Sequence, residues 1–153
     1  MTSLLRTNSQ HQDFVALVKH LDKDLAIRDG EEHAFYDQFN KITHIKHVVV
    51  AYNNGVAISC GAIKEFETDT MEVKRMYTFP EHRGKGLASK ILNELEIWAK
   101  ELGYKRCVLE TGKKQPEAIA LYTKNGYRII ENYGQYIGVE NSVCFEKLLK
   151  SAN

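Results

Sequence analysis

The chain is predicted to adopt an α/β (α+β) fold in which a mixed, mostly antiparallel sheet carries helices, and three features point there. A β-rich run, "IKHVVVAY", and the strand-like "VAISCGAIKEF" flank Asn53-Asn54-Gly55, a hairpin turn whose residues accept positive φ angles. A second polar turn, Glu67-Thr68-Asp69-Thr70, leads into "MEVKRMYTF", so three strands follow one another as a meander. Before and after the meander, apolar residues recur at three- and four-residue steps, which predicts helices. With 153 residues, 43% of them hydrophobic, the chain suffices for one domain, 1–153, with a buried core.

Leu4 to Thr7 is a short first strand. From Asp13, residues Phe14, Leu17, Val18, Leu21 and Leu25 form one face of an amphipathic helix that ends near Asp29-Gly30. A second, shorter helix is expected from Glu32 to Lys41, with Phe35, Tyr36 and Phe39 on one stripe. "IKHVVVAY" and "VAISCGAIKEF" are the hairpin strands. In the third meander strand, alternation assigns Glu72, Lys74, Met76 and Thr78 to one face and Met71, Val73, Arg75 and Tyr77 to the other. Pro80 ends that strand, because proline donates no ladder hydrogen bond. Leu87, Ile91, Leu95, Trp98 and Leu102 then mark a helix, widened by Ala88, Leu92 and Ala99 and stopped at Gly103. "KRCVLE" is the next strand. Pro116 opens a helix where a missing N–H costs nothing, Gly126 caps it, and "YRIIENY" and "NSVCFEKLL" finish the chain as strands. The tally is about seven strands and about four helices.

Lys plus Arg (21) nearly balances Asp plus Glu (20), which excludes the basic excess of a nonspecific nucleic-acid binder. No run approaches the ~20 apolar residues of a membrane span, and "MTSLLRTNSQHQDF" has no apolar signal core. A soluble, cytoplasmic protein with no membrane partner is therefore expected. Cys60, Cys107 and Cys144 sit in apolar runs and read as reduced core thiols. The histidines show no metal-ligand spacing, so no metal is expected, and His82 reads as an exposed loop residue.

The stretch "PEHRGKGLASKIL" carries the chemistry. A helix start exposes unpaired N–H groups and the positive end of a dipole, which suits a phosphate-like anion. Gly84 and Gly86 remove side chains from that approach, while Arg83 and Lys85 add mobile positive charge. The stretch is not a P-loop, which needs G-x-x-x-x-G-K-[ST]. Nor is it a dinucleotide fingerprint, because Ser89 stands at the third glycine position and a hairpin strand precedes it.

Arg83-Gly84-Lys85-Gly86-Leu87-Ala88 matches R/Q-x-x-G-x-G/A, and "EAIALYTKNGY" (Glu117 to Tyr127) supplies a second signature one helix and one strand later. In both, and in the order of its elements, the chain resembles the GCN5-related N-acetyltransferase (GNAT) family. The resemblance implies a V-shaped opening between the fourth and fifth strands and acetyl-coenzyme A as cofactor. The diphosphate is expected on the main chain of Gly84 through Ser89, and the pantetheine arm along Met76, Tyr77 and Thr78. Gln115 stands where the family often has an asparagine that touches the coenzyme.

The implied reaction passes an acetyl group directly to a primary amine. The amine, with a pKa of about 10, must lose a proton, and the departing thiolate gains from an acid. Tyr122 holds the family's acid position, and a main-chain N–H near Met76 or Tyr77 suits the oxyanion. Glu72 and Glu110 compete for the role of base. By the same resemblance, the helix with Phe35, Tyr36 and Phe39 and the loop between the last two strands, with Tyr133 and Tyr136, wall the acceptor site; on composition alone, Lys74 or Arg28 nearby is expected to hold a carboxylate on the substrate. Compactness and balanced charge favour a small-molecule amine. The alternative is a noncatalytic module that binds or senses acyl-coenzyme A. A homodimer is compatible with either.

Overall fold

The structure is a computed structural model that describes residues 1–29 and 45–150. The expected second helix, with Phe35, Tyr36 and Phe39, lies outside the described residues, as does the side chain of Arg28. The elements are β1 (Thr2–Thr7), α1 (Gln12–Asp29), β2 (His47–Asn53), β3 (Val56–Glu67), β4 (Thr70–Thr78), α2 (Leu87–Glu101), β5 (Arg106–Gly112), α3 (Pro116–Lys124), β6 (Arg128–Ile130) and β7 (Ser142–Leu148). They form one seven-stranded sheet in the order β1-β2-β3-β4-β5-β7-β6. All neighbours are antiparallel except β4 and β5, which run parallel. The mixed, mostly antiparallel sheet is as the sequence predicts, and the described residues contain three of the expected α-helices.

Each face of the sheet buries its own core, because successive strand side chains point to opposite sides. Val49, Ala51, Ile63, Met71 and Val73 pack against Ile91, Leu92 and Leu95 of α2, with Tyr122, Tyr127 and Phe145 completing that layer. On the other face Val48, Val50, Cys60 and Ala62 pack against Phe14, Leu17 and Val18 of α1. The α2 stripe holds as expected, except that Leu102 at its end is 43% exposed.

β4 departs from its predicted alternation. Its register against β3 shifts between Cys60 and Ala62, so Arg75 and Met76 together face Gly61. Such a bulge adds one residue to one strand and reverses which face the following side chains take. Met76 therefore packs on the α2 side beside Met71 and Val73, and Tyr77 joins the α1 core. The expectation that Met76 shares a face with Glu72 is thereby corrected. Arg75 adopts a left-handed backbone, φ 61°, a strained conformation for a residue with a long side chain. It is 6% exposed and its guanidinium lies 3.0 Å from the Asp22 carboxylate of α1.

Glycine is required at position 61 for room. A Cβ there would collide with Met76 Sδ and stand 2.7 Å from Ile91 Cγ2. Gly61→Ala is expected to lower stability by about 1–3 kcal/mol, the usual cost of overfilling a packed site. Denaturant unfolding measures this, and a variant as stable as the parent would show that the bulge does not need the space.

The parallel contact between β4 and β5 is brief. Only Thr70, Met71 and Glu72 pair with Arg106, Cys107 and Val108. Beyond them β4 stays with β3 up to Thr78, and β5 stays with β7 up to Gly112. The two strands thus part company and leave a V-shaped opening, as expected.

Candidate active site

A cleft of about 470 Å³ occupies the opening, lined by β4 from Glu72 to Thr78, by Glu110 to Gly112 of β5, and by both helices that follow those strands. At its mouth, Gly84 and Gly86 both have φ 81°, which only glycine adopts at little cost. A Cβ at either would meet nothing within 4 Å, so the loop backbone stands open. The main-chain amides of Leu87, Ala88 and Ser89 have no hydrogen-bond partner among the described residues. An anion at this helix start would satisfy them.

Arg83 is held, contrary to the mobile charge expected of it. Its Nε donates to the Thr78 carbonyl at 2.8 Å, its guanidinium lies 3.3 Å from the Asp24 carboxylate, and it sits 5.5 Å over the Tyr77 ring. Lys85 is exposed and does not line the cleft. His82, expected to be exposed, is half-buried and lines the cleft. On the far side, Gln115 is half-buried at the start of α3 and also lines the cleft.

Deeper in, Tyr122 is 6% exposed, with its ring edge-on to Tyr127 at 5.8 Å. Burial, and then the charge of Glu110, push its phenol above the usual range. Ser142 Oγ donates to Glu110 Oε2 at 2.7 Å, which fixes that carboxylate. β5 runs two residues beyond its predicted end because Thr111 and Gly112 still pair with Val143 and Ser142. Glu72 is engaged at both oxygens: Tyr133 Oη donates to Oε2 at 2.7 Å, and Lys74 Nζ lies 3.5 Å from Oε1. Tyr136, 2% exposed, lines the cleft, and burial followed by the charges of Glu110 and Glu72 raises its phenol. Tyr122, Glu72, Glu110, Lys74 and Tyr136 thus share one cavity with Met76, Tyr77, Thr78 and the glycine loop.

Sequence reasoning missed Gly61, whose signal is a lone glycine inside a strand pattern. It also missed Asp22 and Asp24, which lie on the polar side of an amphipathic helix and carry no sequence mark.

A sheet that opens beside a glycine-started helix, with a buried phenol and carboxylates inside, is the architecture of an acyl-group transferase. Residues 14–127 match the model of the acetyltransferase (GNAT) family. The uncharacterized N-acetyltransferase YjgM of Escherichia coli is 36% identical over 115 residues, 72% of this chain and 66% of that protein. An IAA acetyltransferase of Azospirillum brasilense is 30% identical over 149 residues, 96% of this chain and 97% of that one. A crystal structure from Klebsiella pneumoniae, of a protein assigned as an acyl-CoA N-acyltransferase, superposes with a TM-score of 0.81 at 31% identity, covering 98% of this chain and 99% of that one. The chain belongs to the acetyltransferase (GNAT) family.

The cysteines stand apart from this chemistry. Cys60, Cys107 and Cys144 are buried. Burial pushes the Cys60 and Cys107 thiols up to about 12 and the Cys144 thiol to about 11. A thiol reagent such as Ellman's is expected to leave all three unmodified in the folded protein at pH 8 and to titrate all three in denaturant. Rapid reaction of any one in the native state would contradict this burial.

Proposed function

We propose that the chain is an acetyl-coenzyme A dependent N-acetyltransferase, a single domain that passes the acetyl group directly to the primary amine of a small molecule. One observation carries this reading: the open, unpartnered backbone at Leu87 to Ser89 lies at the mouth of the same cleft that holds Tyr122 and Glu110. The name of the Klebsiella protein supports an acyl-coenzyme A donor, and that of the Azospirillum relative fits a small acceptor. A soluble, cytoplasmic setting agrees with the described residues, whose helices include none long and apolar enough to cross a membrane.

The loop from Gly84 to Ser89 binds the diphosphate through its amides and the helix dipole. Main-chain groups of Met76, Tyr77 and Thr78 align the arm, with Gln115 opposite. The donor supplies its acetyl group as a thioester. Glu110 begins the removal of a proton from the acceptor ammonium, so that nitrogen attacks the carbonyl carbon. A main-chain N–H of the bulge near Met76 or Tyr77 holds the developing oxyanion. As the C–S bond breaks, Tyr122 gives its proton to the sulfur, and the remaining extra proton on the nitrogen passes through solvent to the phenolate, leaving a neutral amide. The raised phenol does not disqualify it: a thiolate in the same dry cleft also loses hydration, so both acids shift in the same direction.

Glu110 is the better proton acceptor of the two carboxylates. Its charge acts on Tyr122, the proposed acid, whereas the charge of Glu72 acts on Tyr133 and Tyr136. Free thiol release from acetyl-coenzyme A across a panel of amines tests the reading. Tyr122→Phe should lower kcat at least tenfold, about 1.4 kcal/mol, with little change in coenzyme affinity. Unchanged turnover would remove Tyr122 from the mechanism. Thermal stabilisation by coenzyme A with no turnover on any amine would favour a binding module.

Asp24 occupies the cation beside the glycine loop and competes there with the coenzyme phosphates. Since an exposed ion pair is worth about 0–1 kcal/mol, Asp24→Asn should tighten coenzyme A binding by up to about fivefold. It should leave use of acetyl-pantetheine, which has no diphosphate, unchanged. Titration calorimetry reads the difference, and weaker binding of coenzyme A by the variant would refute the competition.

A further inference from the structure

We propose that Tyr133 and Glu72 form a latch that positions Tyr136 in the acceptor wall, so that Glu72 is a positioning residue and not the proton acceptor. The proposal rests on the reading of this cleft as an acetyl-transfer site. Tyr133 belongs to the loop between β6 and β7, whereas Glu72 is the last β4 residue paired with β5. Their 2.7 Å hydrogen bond therefore spans the apex of the V, joining the half of the sheet that ends in β6 to the half that begins with β1.

Packing supports the bond. The Tyr133 ring meets Phe66 of β3 edge-on at 4.9 Å and Tyr136 edge-on at 5.8 Å. Asn132 Nδ2 donates to the carbonyls of Tyr136 and Val139 at 3.1 and 3.0 Å, so the loop is one folded piece. Tyr136 is thus placed by contacts that begin at Tyr133. Burial and the charge of Glu72 both raise the Tyr133 phenol, which keeps it a donor across working pH. Lys74 holds the second carboxylate oxygen, so taking up a substrate proton would mean breaking an existing contact at Glu72.

The test compares Tyr133→Phe, Glu72→Ala, Glu72→Gln and the Tyr133→Phe/Glu72→Ala double variant. Steady-state kinetics would give kcat and separate KM values for the best amine of the panel and for acetyl-coenzyme A. Amide hydrogen exchange would follow residues 132–139. Tyr133→Phe and Glu72→Ala should each raise the amine KM about tenfold, while KM for acetyl-coenzyme A stays within about twofold. The double variant should be no worse than either single, since both remove the same bond. Glu72→Gln retains an acceptor oxygen and should recover most of the loss. Collapse of kcat in Glu72→Gln with Tyr133→Phe at parental levels would return Glu72 to proton transfer and overturn the latch, as would additive losses in the double variant. If the parent chain transfers acetyl to no amine, the transfer reading fails by itself, and exchange still decides the latch. Faster exchange at 132–139 in Tyr133→Phe and Glu72→Ala supports it, and unchanged exchange overturns it.

Discussion

Arg75 and Met76 face a single partner, Gly61, and the shape of the cleft depends on that two-against-one contact. A strand that pairs residue for residue would keep Met76 on the face of Glu72, directed away from α2. With the extra residue, Met76 fills the α2 layer and Tyr77 turns to the α1 layer. The strand keeps a well-packed side chain on each face while its main chain changes direction. Arg75 absorbs the change in a left-handed conformation, held by its ion pair with Asp22. Three elements thus meet at one backbone irregularity: β3 supplies the space, α2 the packing surface and α1 the counter-charge.

The second constraint is the short parallel contact. After Glu72 and Val108 the two strands share no further pairs, yet neither is left as a bare edge, because β3 and β7 continue to bond their outer sides. The inner edges are what the cleft exposes. Sheets usually cover or avoid such edges. Here the unpaired main chain faces a cavity, where an amide-bearing ligand can take the place of the missing strand. The glycine loop, the phenols of Tyr122 and Tyr136 and the carboxylates of Glu72 and Glu110 line that one cavity.

Much of this was legible beforehand. The meander, the α2 stripe and the glycine-marked helix start follow from local rules, because turns and amphipathic faces are written in adjacent residues. The positive φ of Gly84 and Gly86 agrees with their placing in the loop. What escaped depends on partners distant in sequence. The bulge needs Gly61 opposite Met76, and alternation alone gives no hint of the slip. Arg83 looked mobile because Asp24 and the Thr78 carbonyl, which hold it, are brought near by tertiary packing. Glu72 and Glu110 could not be ranked from spacing. Their difference lies in neighbours, Tyr133 for one and Ser142 for the other.

The brevity of the β4–β5 pairing makes the sheet two ribbons that touch over three residue pairs. One ribbon bears the segment proposed to align the donor, and the other bears Glu110. Variation in either ribbon can accumulate without disturbing the ladder of the other. Such a scaffold lets the two arms of the V change in sequence separately, while the three pairs at its apex keep them joined.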